Sequence, residues 1–211
     1  MFNRLQSHWQ WAVAIVAALG LAAGAAGLMR ARSPANHEPV GMAAAAALSV
    51  AQEGQAPDDA SAEPLLAMLR RVFAEEGVPP EYLWVAEVES AWNPHAQSRA
   101  GAVGLFQIMP ETARRFDLAD DLRDERADPE SNARTAARYL NRLHKRFGDW
   151  TLVLAAYNAG ENRVQRLLLE TGGNDYEDIR ERLPAETRAY VAMVQAIIEE
   201  ELRTDANVAP P

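Results

Sequence analysis

Glu89-Ser90-Ala91-Trp92-Asn93-Pro94, then Gly101-Ala102-Val103-Gly104-Leu105-Phe106-Gln107-Ile108-Met109-Pro110, and later Ala155-Ala156-Tyr157-Asn158-Ala159-Gly160 are the stretches on which the fold of this chain turns. In the first, an acid follows the apolar positions Leu83, Val85, Ala86 and Val88, and Asn93-Pro94 stops the helix they predict. Glu89 is thereby placed in the last turn of a largely buried helix, next to a loop. In the second, Ser98 leads into a glycine-bearing loop where Gly101 and Gly104 permit close backbone approach to a ligand, and Gln107 sets a polar amide between Phe106 and Ile108. In the third, an aromatic-amide pair closes an apolar helix, with Asn158 as a polar cap and Gly160 in a left-handed conformation.

Working outward, every periodic segment is helical. Ser61 is a candidate N-cap, and Leu65, Leu66, Leu69, Val72 and Phe73 recur at three-to-four spacing until Gly77. Pro79-Pro80 reset the chain, and 81–91 form a second helix carrying Glu89. Pro110-Glu111 open a short helix with Ala113 and Phe116, and an acidic, arginine-rich connection follows. Asp128 as N-cap with Pro129 at the first helical position predicts a long helix bearing Ala133, Ala136, Ala137, Leu140, Leu143 and Phe147 before Gly148. Asp149 caps 150–158, which is almost wholly apolar and so is expected to be the central buried helix. Segments 161–171 and 184–203 supply two more, the latter with Tyr190, Val191, Val194, Ile197 and Ile198. No strand pattern and no internal repeat is found. The expectation is an all-α, compact bundle of short helices over 61–205, with a tail at 206–211.

Ahead of this domain the chain is different. Residues 11–29 carry no charge, and about 20 apolar residues suffice to cross a bilayer. This N-terminal apolar helix, within 1–30, reads as a membrane anchor or as a cleaved signal peptide ending at Ala23-Gly24-Ala25, with Ser49-Val50-Ala51 as a later small-residue site, and a buried helix of the domain itself as the remaining alternative. Arg30 and Arg32 offset Arg4, so the positive-inside rule orients the segment only weakly. Residues 31–60, with prolines, small residues and acids in no sustained period, form a flexible linker.

Composition narrows the function. Upstream of residue 60 the charges are Arg4, Arg30 and Arg32 against Glu38, Glu53, Asp58 and Asp59, so most of the formal net charge of −9 belongs to the globular part, which excludes nucleic acid as a partner. With no cysteine, disulfides, thiolate chemistry and a lipid-modified cysteine are ruled out, and the four histidines show no paired spacing for a metal site. No cofactor is implied.

The three quoted stretches, together with Glu186-Thr187-Arg188-Ala189-Tyr190-Val191, resemble in order and kind the catalytic domain of the lytic transglycosylases. These are lysozyme-like enzymes that cut the glycan strands of peptidoglycan. The segments 138–147 and 183–191 are most similar to the membrane-bound lytic murein transglycosylase D group. The resemblance implies that Glu89 is the catalytic acid and that Ser98, Gly104, Leu105, Phe106, Gln107, Tyr157, Asn158 and Tyr190 bind the glycan. It also implies a periplasmic location and possible membrane contact at the N-terminus. Phe106 stands where the family often has Met or Trp, a change expected to alter cleft shape. Members of that group often carry a lipid-anchoring cysteine and glycan-binding LysM repeats, whereas here the sequence ends at Pro210-Pro211, which points to a locally tethered cutter of low affinity.

Cleaving a glycosidic bond requires an acid that stays protonated near neutral pH, and burial of Glu89 beside Val85 and Val88 supplies that. A partner carboxylate is not evident: Glu87 points elsewhere on the helix, Asp117, Asp120 and Asp121 lie in the charged connection, and Glu186 is read as opening a helix. In the resembling family one acid suffices, because the substrate's own N-acetyl group stabilises the cation. The same glutamate then takes the proton of the muramic acid 6-hydroxyl as a 1,6-anhydro ring closes. A lysozyme-type hydrolase on the same scaffold, a noncatalytic glycan-binding module and an inert helical interaction domain are the alternatives.

Overall fold

A computed structural model describes residues 59–120 and 122–208; the apolar segment at 11–29, the linker up to 58, Asp121 and the last three residues lie outside it. The described chain forms α1 (Asp59–Glu75), a 3-10 turn (Pro80–Trp84), α2 (Val85–Ser90), α3 (Pro110–Arg115), α4 (Pro129–Phe147), α5 (Trp150–Ala159), α6 (Glu161–Thr171), α7 (Tyr176–Ile179), a second 3-10 turn (Arg180–Arg182) and α8 (Ala185–Val208). Among the described residues only isolated β-bridges occur, at Gln97 to Val103, Val103 to Ile108 and Ala119 to Asp124. No helix there is long and apolar enough to cross a membrane.

The middle of the domain is α5. Every residue from Leu152 to Ala159 is buried, and α4, α6 and α8 pack around it while α1 covers the far side of α4. Two carboxylate caps set the register of this centre. The Asp128 side chain accepts from the Ser131 amide and the Asp149 side chain from the Leu152 amide, each satisfying a donor that a helix start leaves open. Phe73 and Leu69 of α1, Leu140 and Leu143 of α4 and Val194 of α8 complete the apolar interior. Arg134 bridges α4 to Glu75 at the end of α1 and to Glu76 just beyond it, at 2.9 and 3.0 Å, and Arg138 reaches Glu76 at 3.1 Å.

Three local expectations give way. Helix α1 begins at Asp59 and passes through Ser61 and Pro64, so Ser61 is not its cap. A proline near a helix start removes few bonds, since the first four amides have no intrahelical acceptor and Pro64 lies just beyond them. The segment 81–91 is not one α-helix: Pro80 at its head starts a tighter 3-10 turn, and the chain widens to α-geometry only at Val85. Gly160 has φ 90 and ψ 135, an extended glycine-only conformation, because it serves at once as the end of α5 and the N-cap of α6.

Candidate active site

Helix α2 is short because it ends in strain. Ala91 and Trp92 both take positive φ, 50° and 65°, where an L side chain crowds its own backbone. What holds them is packing, for the Trp92 ring stands edge-on to Trp84 at 5.2 Å, and the Ala91 amide donates to the Glu87 carbonyl. Stopping the helix there leaves Glu89 in its last turn.

Glu89 is 1% exposed, and neither carboxyl oxygen has a hydrogen-bond partner. Burial pushes its pKa from 4.5 up to about 8, the Tyr190 hydroxyl draws it partly back, and the charge of Glu186 raises it further. Tyr190 approaches the carboxyl without completing a bond, since its buried hydroxyl is also without a partner. An acid in this state holds its proton at neutral pH and offers it to whatever enters.

The walls are built by α5 and α8. Tyr157 is fully buried, its hydroxyl donates to the Phe106 carbonyl at 2.7 Å, and burial followed by the charge of Glu89 lifts its pKa far above 10. Its proton is thus committed to the loop rather than to a ligand. Asn158 is buried beside it at the end of α5.

The 98–108 loop is stapled to α4 from within. Asn132, fully buried in the first turns of α4, accepts from the Phe106 amide at 2.9 Å and donates to the Val103 and Arg126 carbonyls at 3.0 and 2.7 Å. Arg126 ties the two ends of the loop, donating to the Gly101 and Ile108 carbonyls at 2.6 and 3.1 Å while pairing with Asp124. Gly104, at φ 88, lies so close that an added Cβ would sit 2.3 Å from the Arg126 carbonyl and 2.4 Å from Asn132. Its missing side chain is therefore what lets the loop approach Asn132 and the Arg126 carbonyl.

Placed in this frame, the expected binding residues divide into two groups. Tyr157, Tyr190 and Glu89 come together electrostatically. Ser98 accepts from the Ala102 amide at 3.0 Å, and Gln107, at φ 47, donates to the Ala96 and Gly104 carbonyls at 3.2 and 3.0 Å. Both side chains serve their own loop and neither bonds Glu89, while the buried Gln107 carbonyl oxygen keeps its acceptor capacity unspent. Leu105 and Phe106 have no exposed surface, and Phe106 packs on Phe73 with ring centroids 5.4 Å apart.

Sequence reasoning missed Asn132 and Arg126, whose polar side chains on or beside an alanine-rich helix looked solvated; the full burial of Asn132 was visible only as its position on the inner face with Ala133 and Ala136. It also undervalued Glu186. That residue lies near enough to Glu89 to disfavour its charge, so the acid is not solitary. Glu87, by contrast, is turned toward Glu201 of α8, and burial followed by that charge raises its pKa to about 8. Among the described residues no group of His, Asp and Glu is placed to hold a metal ion.

A carboxyl kept neutral by burial at the end of a short helix, inside an otherwise helical domain, is the arrangement of the lysozyme-like folds. Within that class the chain belongs to the transglycosylase SLT domain family, whose pattern matches residues 71–179. It is 36% identical over 140 residues to the membrane-bound lytic murein transglycosylase D of Escherichia coli (strain K12), covering 64% of this chain and 31% of that one. It is also 36% identical over 138 residues to the soluble lytic murein transglycosylase of the same strain, covering 61% of this chain and 21% of the relative. The chain thus spans about a third or less of the length of these curated relatives. Among solved structures, an inactive variant of the lytic transglycosylase Slt from Pseudomonas aeruginosa aligns with a TM-score of 0.56 at 32% identity, over 65% of this chain and 24% of that one. A complex of the 70 kDa soluble lytic transglycosylase with bulgecin A aligns with a TM-score of 0.55 at 34% identity, over 63% of this chain and 23% of that one.

Proposed function

We propose that this chain is a peptidoglycan lytic transglycosylase, cutting the β-1,4 bond between N-acetylmuramic acid and N-acetylglucosamine and leaving 1,6-anhydro-muramic acid ends. The observation that carries the reading is Glu89, a carboxyl buried with both oxygens unpartnered and a pKa raised to about 8. Buried polar atoms almost always have partners, so one left open at a helix end is reserved for a ligand. Protonated at neutral pH, Glu89 donates to the glycosidic oxygen; as the carboxylate it then accepts the 6-hydroxyl proton while the ring closes.

The remaining assignments rest on the resemblance, with support from the groups left open around Glu89. Tyr190 offers an uncommitted hydroxyl beside the acid and the Gln107 carbonyl an uncommitted acceptor. Tyr157 holds the loop through Phe106, and we assign Ser98, Gly104, Leu105 and Asn158 to the surrounding glycan-binding wall. The relatives' names include membrane-bound and soluble lytic transglycosylases. A place outside the cytoplasmic membrane, by a cleaved signal or a tether at 11–29, fits a peptidoglycan substrate.

One feature favours a second reading: a second carboxyl, Glu186, beside the first is what a hydrolase uses to activate water. The full chain in mild detergent is incubated with purified sacculi, and the released fragments are weighed by mass spectrometry. Anhydro ends that disappear with Glu89→Gln support ring closure. Reducing muramic acid ends move the activity to hydrolysis, and no release by either protein refutes both.

A further inference from the structure

Four buried polar atoms are without partners, both oxygens of Glu89, the hydroxyl of Tyr190 and Oε1 of Glu186, and Tyr190 and Glu186 are the two side chains that act on the Glu89 carboxyl. Glu186 and Tyr190 lie four residues apart in α8, on one face of the helix, and α8 packs against α2. Both carboxyls therefore address the same space, and two acids so placed cannot share it on equal terms.

The two helices decide between them. Glu89 sits in the last turn of α2, where the unsatisfied carbonyls of a helix end disfavour a negative charge. Glu186 sits in the first turn of α8, where open amides favour one. Burial raises the pKa of both carboxyls, but Glu89 is almost completely enclosed whereas Glu186 keeps part of its surface, so the larger penalty for charge falls on Glu89. We infer that Glu186 is the charged partner of the catalytic acid, a positioning residue that carries the negative charge of the pair and so keeps the proton on Glu89.

The other groups around Glu89 cannot take this part. Tyr157 from α5 and Tyr190 from α8 are both held neutral, by burial first and then by the charge of Glu89 itself. The influences on Glu89 are burial, Tyr190 and Glu186, with no cation among them. Glu87, on the same helix as Glu89, answers to Glu201 instead. Removing the charge at 186 while keeping the side chain's size therefore isolates one interaction.

The inference builds on the reading of Glu89 as the acid, and its first test needs no substrate. The full chain, labelled with carbon-13 at the glutamate carboxyls, is titrated by NMR in mild detergent, with Glu89→Gln identifying the Glu89 signal. In Glu186→Gln the Glu89 midpoint is expected to fall by about half a pH unit or more, as expected for removing a nearby like charge even in a water-like dielectric. On sacculi the alkaline limb of the pH–rate profile moves to lower pH by the same amount with KM unchanged, and Glu186→Asp restores it in part. An unmoved Glu89 midpoint overturns the inference, whether the variant instead raises KM, as a sugar contact would, or only lowers the melting temperature, as a helix opener would. If the midpoint moves but neither protein releases fragments, the charge pair stands and the proposed activity falls.

Discussion

Replacing Glu89 with glutamine removes a titration and little else, which makes its effect on stability calculable. In the unfolded chain this carboxyl ionises near its ordinary value of 4.5, and in the folded protein near 8. Between those values the unfolded state has released a proton that the folded state keeps, so rising pH favours unfolding. Below 4.5 both states are protonated and the penalty is absent; above 8 both are ionised and it is constant. A difference of about 3.5 pH units at about 1.4 kcal/mol each amounts to about 5 kcal/mol, an order-of-magnitude ceiling. The Glu89→Gln chain should therefore gain on the parent by about 1.4 kcal/mol per pH unit from about 4.5 to about 8 and level off beyond. Urea unfolding of both proteins in the same detergent at pH 4 to 9 measures this. The offset at pH 4 holds packing and amide differences, whereas the slope reports Glu89 and its coupling to Glu186, since Glu87 titrates in both proteins. A flat difference would refute the claim that Glu89 is desolvated, and with it the argument that burial keeps the proton in place.

Gly104→Ala forces an L residue into φ 88 and drives a Cβ into Asn132 and the Arg126 carbonyl. Backbone strain of about 1–3 kcal/mol and the loss of Asn132 bonds at about 1 kcal/mol each predict a loss of about 3 to 5 kcal/mol, read from the urea midpoint; a loss under about 1 kcal/mol would show that the loop yields freely. Tyr157→Phe leaves the buried Phe106 carbonyl without its donor. It should cost about 1–3 kcal/mol and lower turnover on sacculi, and thermal unfolding and fragment release that both match the parent would show the bond to be idle.

The parts of the fold legible in the sequence are those specified by neighbours along the chain. Asp128-Pro129 opens α4 and Asp149 opens α5 because a cap acts on amides two or three residues away. The apolar run of α5 declares its own burial. Helix α1 escaped this logic at its start, since local propensity continued the helix past a plausible cap, and the four-residue α7 was too brief to show a period. Of the site, the type and the helical placement of Glu89 could be read from the order of apolar residues before it. Its partners could not: Glu186 is 97 positions downstream by the numbering, and a glutamate in a first turn looks the same whether it faces water or another acid.

By itself, then, the sequence determined an all-helical domain with one acid at the end of a buried helix, because helical periodicity, caps and breakers are local properties. Only the tertiary structure decided that Gly104 meets Asn132 and the Arg126 carbonyl, that Tyr157 spends its proton on Phe106, and that the charge of Glu186 reaches Glu89. Desolvation and charge repulsion depend on distance in space, and α5 and α8 bring together groups that the chain holds far apart.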